Sequence, residues 1–76
     1  MKLSRARQES VAKNLSQAEL MRNPSNKMEW FIMLRKQTGK SHILVNDDDS
    51  PIVDTEIEQL FSILKSLGFR QVIVNI

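Results

Sequence analysis

Residues 55–76 read TEIEQLFSILKSLGFRQVIVNI, and the rest of the chain must pack around them. Ile57, Leu60, Phe61, Leu64 and Leu67 recur at the three- and four-residue spacing that lines one face of a helix. Gly68 follows where a helix ends most easily in the left-handed conformation, and Phe69 stands where such a cap gains an apolar contact. Val72, Val74 and Ile76 then alternate with Gln71, Ile73 and Asn75, the two-residue period of a strand. At the other end, Thr55 and Glu58 have the spacing of a capping box, while Asp54 and Glu56 put negative charge at the positive end of the helix dipole. The spacing predicts a helix that turns sharply into a strand.

Upstream, Met28, Trp30, Ile32 and Leu34 alternate with Glu29, Phe31, Met33 and Arg35, and a polar turn at residues 37–40 separates this run from His42, Ile43, Leu44 and Val45. The pattern predicts a β-hairpin. A two-residue loop at Thr38 and Gly39 pairs Leu34 with Ile43, Met33 with Leu44 and Ile32 with Val45; a longer loop is the alternative, since Thr-Gly is a weaker turn signal than Asn-Gly. In the two-residue register Trp30, Ile32, Leu34, Ile43 and Val45 share one face, and Phe31, Met33 and Leu44 share the other. Asn46 through Ser50 is an acidic loop, and Pro51 redirects the chain toward the helix.

The front of the chain is harder to place. Residues 1–10 are polar and basic without apolar periodicity and read as a mobile basic arm, followed by a single small domain over residues 11–76. Val11, Leu15, Ala18 and Met21 form a thin helical stripe, Ser16 and Glu19 have capping-box spacing, and Pro24 ends any helix near Asn23. The words LSQAEL at residues 15–20 resemble the opening helix of helix-turn-helix repressors, although residues 23–26 lead into a strand where a second helix would be needed.

Assembled, the chain is expected to be α+β, α-β-β-α-β, with a three-stranded mixed sheet. Strands two and three bracket a helix and so run parallel through a right-handed crossover. The expected order is 2-1-3, with 1-2-3 as the alternative. The main helix covers the richer face. Phe31, Met33, Leu44 and Ile73 then crowd the other, and a bare patch of that kind is an aggregation hazard. The N-terminal helix or a second subunit is expected to cover it, with a homodimer favoured.

Composition narrows the function classes. A chain of 76 residues has little core to draw on. With no cysteine it makes no disulfide, thiolate zinc site or cysteine nucleophile. The longest apolar run, residues 30–34, cannot span a bilayer, and nothing resembles a signal peptide, so a cytoplasmic setting without membrane attachment is expected. Net charge is +2, but residues 1–40 hold nine Lys or Arg against three Glu and residues 41–76 hold two against six Asp or Glu. That asymmetry suits an anionic partner for the front half, or one subunit's basic arm against another's acidic end.

No catalytic, cofactor-binding or metal-ligating set is expected. Gly39, Lys40 and Ser41 have the ending of a phosphate-binding loop, but they lie in a turn between strands, where no helix N-terminus can cradle phosphate. Asp47, Asp49 and Glu58 have calcium-loop spacing, but Pro51 and Ile52 fall at positions five and six, the second of which needs glycine; a solvated acidic loop accounts for them. His42, opposite Arg35 in the two-residue register, reads as a rim residue beside the Phe31 patch, since no nucleophile or fixed carboxylate accompanies it. Trp30 reads as a core anchor, and Phe31 beside Arg35, Lys36 and Lys40 has some of the features of sheets that stack bases. Lys2, Arg5, Arg7 and Lys13 are the candidate nucleic-acid-binding residues. The expectation is a small non-enzymatic interaction module, with a copy of itself on its second face, that docks a macromolecule as adaptor, regulator or inhibitor. The alternative is a nucleic-acid-associated accessory protein working through its basic segment.

Overall fold

The computed structural model describes all 76 residues. In chain order the elements are α1 (Leu3–Val11), β1 (Leu15–Asn23), β2 (Asn26–Lys36), β3 (Ser41–Ile43), β4 (Val53–Asp54), α2 (Ile57–Ser66) and β5 (Ile73–Val74). The strands form a mixed sheet in the order β3-β2-β1-β5, with β4 following β3 along the same edge of β2. The α+β class is as expected, but there are five strands instead of three. The expected order 2-1-3 is matched only in part: β5 does not lie beside β2, because β1 stands between them, antiparallel to β2 and parallel to β5. Because β3 is antiparallel to β2, β3 and β5 point the same way, as a crossover through α2 requires. No helix is long and apolar enough to cross a membrane.

The inserted strand corrects the reading of residues 11–22 as a helix, and with it the resemblance of LSQAEL to a repressor helix. Leu15, Ala18 and Met21 fit a helical period, yet Ala18 and Leu20 fit a strand equally well, and both are completely buried. What decides is pairing. As a strand the segment satisfies one edge of β2 along almost its whole length and offers its other edge to β5, with residues 23–26 as the hairpin turn. A thin-striped helix would leave those backbone groups without partners. The helix lies earlier, in the segment read as an arm. Its apolar face is little more than Leu3 and Ala6, too sparse to register as periodicity, but Ala6 is completely buried.

The second correction is one of register. The β2–β3 turn has three residues: the Lys36 amide donates to the Lys40 carbonyl at 2.8 Å, and Gly39 takes a φ of 95°. A type I turn closed by a left-handed residue has this form. Met33 therefore faces Ile43 and Leu34 faces His42, one residue out of step with a two-residue loop. A one-residue slip exchanges faces. Leu44 enters the core completely, while Ile43 is half exposed.

Helix α2 begins without the predicted capping box. Glu56 is the N-cap and makes no side-chain capping bond; instead the Asp54 carboxylate accepts the Glu56 amide at 2.9 Å. Its end is as the sequence suggests. The Phe69 amide donates to the Leu64 carbonyl and the Gly68 amide to that of Lys65, with Gly68 at φ 93°. Helix α1 ends in the same double bond pattern, Asn14 to Glu9 and Lys13 to Ser10, but there Lys13 holds the left-handed position at φ 58°. A Cβ at Gly68 would meet only Ser10 Oγ at 3.8 Å, so crowding is absent and the backbone conformation alone resists substitution. Gly68→Ala is expected to lower stability by about 1 kcal/mol, read as a shift in urea midpoint. An unchanged midpoint would show that this cap does not contribute.

One core joins all of this. Ala6 from α1 and Leu60, Leu64 and Leu67 from the α2 region meet Ala18, Leu20, Trp30, Ile32 and Leu34 from the two long strands, with Leu44 and Ile52. Both helices thus lie on one side of the sheet, and the Ser10 hydroxyl donates to the Leu67 carbonyl where they meet. The expectation that an N-terminal helix would cover the second face is overturned. Leaving that side also lets the front of the chain guard a sheet edge. Met1 and Leu3 bond to Ile43 and Val45 along the open side of β3, at 2.7 to 2.9 Å, which closes an edge that would otherwise template another strand.

Candidate functional site

With both helices on one side, the register places a defined set of side chains on the other. Across the middle of the sheet Ile73, Glu19, Met33 and Ile43 stand in a row. The next row holds Met21, Phe31 and Val53, and the row on the opposite side holds Gln17, Arg35 and Ser41. Ile43 and Ile73 are 50% and 46% exposed. Met21, Phe31, Met33 and Val53 are half-buried. A depression of about 330 Å³ opens at its edge among Pro24, Phe31, Ile43, Pro51 and Val53. Six large apolar side chains thus share one uncovered face.

The carboxylate at its centre is already satisfied. Glu19 accepts from Gln17 Nε2 at 2.6 Å and from Asn75 Nδ2 at 3.2 Å. Two amides on the same face pin it, so Glu19 can lie under a cover without leaving both its oxygens unpartnered. Arg35, one row away, is exposed and makes no ion pair within 4 Å.

The structure brings Phe31, Met33 and Ile73 together on this face, as the sequence suggests. Leu44 is the exception, replaced by Ile43 through the register slip. Sequence reasoning also missed Met21, Glu19 and Val53, which become legible only when LSQAELM is read with a two-residue period. His42 is not beside this patch. It pairs with Leu34, on the helix side of the sheet, where it is half-buried. Trp30 is 8% exposed on that same side and carries the Arg22 guanidinium over its ring, 4.4 Å from the centroid, so it is a core anchor shielded by a cation.

The remaining candidates are locally engaged. Gly39 belongs to the hairpin turn. Asp47 accepts the Ser4 amide at 2.9 Å, Asp48 accepts the Ser50 amide and hydroxyl, and Asp49 stands 3.9 Å from Lys2. No three His, Asp or Glu side chains are grouped to share a metal ion. Of the four basic candidates, Lys2 faces Asp49 and Arg5 donates to Glu9 at 2.8 Å; Arg7 and Lys13 make no ion pair.

Glu9 carries the main electrostatic feature of the helix side. It is 7% exposed, and its Oε1 stands 2.8 Å from Arg5 Nε and 4.0 Å from Lys36 Nζ. The Arg5 hydrogen bond, helped by the Asn14 side chain and the charge on Lys36, holds its carboxyl below the usual range against the opposing effect of burial. Asp48 is lowered too, by its bonds from Ser50. A carboxyl lowered in the folded state binds fewer protons than in the unfolded chain. Its contribution is therefore present above the unfolded value near 4.5 and is lost as pH falls through the folded one. The urea midpoint is expected to drop as pH falls below about 4.5, and Glu9→Gln to flatten that limb. An acid limb identical in the variant would remove Glu9 from the account.

No protein-family model, curated protein or solved structure matches this chain. The site is therefore read from its own geometry.

Proposed function

We propose that this chain is a non-enzymatic, cytoplasmic interaction module that pairs with a second copy of itself through the uncovered sheet face and presents the resulting dimer to a macromolecular partner. The observation that carries this reading is the placement of Met21, Phe31, Met33, Ile43, Val53 and Ile73 on one side of a sheet whose two helices both lie on the other. A contiguous apolar patch of that kind marks an interface. A second copy is favoured as occupant because the face is close to its own complement. At its centre stands one carboxylate, Glu19, already bonded, while Glu29 and the unpaired Arg35 lie toward opposite ends of β2 on the same face, so a two-fold copy brings no unpartnered charge to the centre. Size argues the same way. Only 12 of 76 residues are buried, and a core so small gains from sharing a second hydrophobic layer.

Sedimentation equilibrium from about 1 μM to about 1 mM tests the pairing, the range over which weak and moderate dimers dissociate. A concentration-dependent dimer is expected. A monomer throughout would end this reading.

A further inference from the structure

We propose that the end of the molecule at which both helices terminate is a binding surface for the phosphates of a nucleic acid. Three depressions adjoin one another there. The first lies around Arg7, Ser10 and Leu67, the second around Lys13, Gln37 and Arg70, and the third around Lys65, Phe69 and Arg70. Neighbouring depressions share residues between Ser10 and Arg70, so they form one continuous surface of about 190, 590 and 710 Å³ in turn.

The charge of that surface has one sign. Arg7, Lys13, Lys65 and Arg70 line it, no carboxylate does, and none of the four makes an ion pair within 4 Å. Asp47, Asp54 and Glu58 lie at the opposite end, where both helices begin, bonding the Ser4 amide, bonding the Glu56 amide and standing in the first turn of α2, while Glu9, in the last turn of α1, is buried and held by Arg5 and Lys36. The front-to-back charge asymmetry of the sequence thus becomes an end-to-end separation in space. Folding removes Lys2 and Arg5 from the basic set by pairing them and adds Lys65 and Arg70 from the acidic half of the chain. The exposed amides of Gln37 and Gln71 and the half-buried ring of Phe69 supply hydrogen bonding and a stacking surface among the cations.

One cation is held there against its own backbone preference. Lys13 occupies the left-handed cap position that Gly68 fills at the end of the other helix, with φ 58° against 93°. A lysine is strained in that conformation and glycine is not. Completing a helix dipole with a cation does not require this residue at this φ, whereas a phosphate contact requires the side chain. The nucleic acid class follows from the spread of four cations over three adjoining open depressions, an arrangement suited to a backbone of repeating phosphates.

The test uses the full chain with fluorescently labelled single-stranded RNA and DNA and a DNA duplex, titrated by polarisation at about 50 and about 200 mM salt. Four phosphate contacts to a single strand predict a slope near −3 in log K against log salt, or about 50-fold weaker binding at the higher concentration. Lys65→Gln with Arg70→Gln should lower the magnitude of that slope by about 1.4. Lys13→Gly should weaken binding while leaving thermal stability equal or higher, a combination that a purely structural lysine would not give. Lys27→Gln, at the β1–β2 turn on the other end of the sheet, is the control and should bind like the parent. Binding that is absent, that is insensitive to Lys13, Lys65 and Arg70, or that is matched by a polyglutamate of equal charge or by anionic vesicles overturns the proposal. The surface is distinct from the apolar sheet face, so a variant that dissociates the dimer leaves these slopes readable.

Discussion

Leu44→Ala is expected to lower stability by about 2–5 kcal/mol, whereas Ile43→Ala measured on the monomer should change it by less than about 1 kcal/mol. Leu44 is completely buried among the core side chains, and its amide donates to the Ile32 carbonyl at 3.0 Å; Ile43 is half exposed on the other face. For 76 residues the total stability is on the order of 4–11 kcal/mol, so truncation at Leu44 removes a large share of it. With a urea slope near 1 kcal/mol/M the midpoint should fall by about 2 M or more. The pair of variants reads the β2–β3 register directly, because a two-residue loop would exchange the two outcomes. A costly Ile43→Ala beside a tolerated Leu44→Ala would refute the three-residue turn. The measurement belongs at a concentration below the dimer midpoint, since Ile43 also lies on the proposed interface.

Met33→Lys should dissociate the proposed dimer with little effect on the fold of the monomer. Met33 stands at the centre of the uncovered face, directly opposite Glu19 on β1. In the monomer a lysine there faces a carboxylate across the strands, a pairing that contributes about 0.2–1 kcal/mol. In the dimer each copy would bring a charged side chain into an apolar contact. At about 2 kcal/mol or more for a central interface position, present twice, the dissociation constant should rise at least about 700-fold. The readouts are sedimentation equilibrium for assembly and urea unfolding for the fold. A dimer that survives Met33→Lys with unchanged affinity would place the interface elsewhere, and collapse of the monomer would show that Met33 supports the fold itself. Phe31→Ala is the follow-up, deleting apolar area on the same face without adding charge.

The candidate face was only partly legible because its members come from three kinds of signal. Phe31, Met33 and Ile73 follow from simple alternation in clear strands. Ile43 and Leu44 are both aliphatic, and nothing local distinguishes which points inward; a single extra turn residue at Gln37 decides it. Met21 and Glu19 lie in a segment whose apolar residues satisfy helical and strand periods at once. The basic end was less legible still, since Arg7 and Lys13 are separated from Lys65 and Arg70 by about fifty residues of sequence.

From the sequence alone came the α2-to-β5 turn at Gly68, the extended β2 run and its inward face of Trp30, Ile32 and Leu34, and the presence of a second apolar face. These depend on local periodicity and on one residue's freedom to adopt a left-handed backbone, which neighbours along the chain determine. Only the tertiary structure decided that residues 15–23 are a strand, that the helix lies in front of them, and that both helices share one side. Those outcomes turn on which distant backbone groups find partners: β2 has a full edge to satisfy, and β1 reaches it while a helix cannot. The same long-range pairing leaves the second face uncovered and gathers the cations at one end, which is why the chemistry of both surfaces belongs to the fold and to no single stretch of the chain.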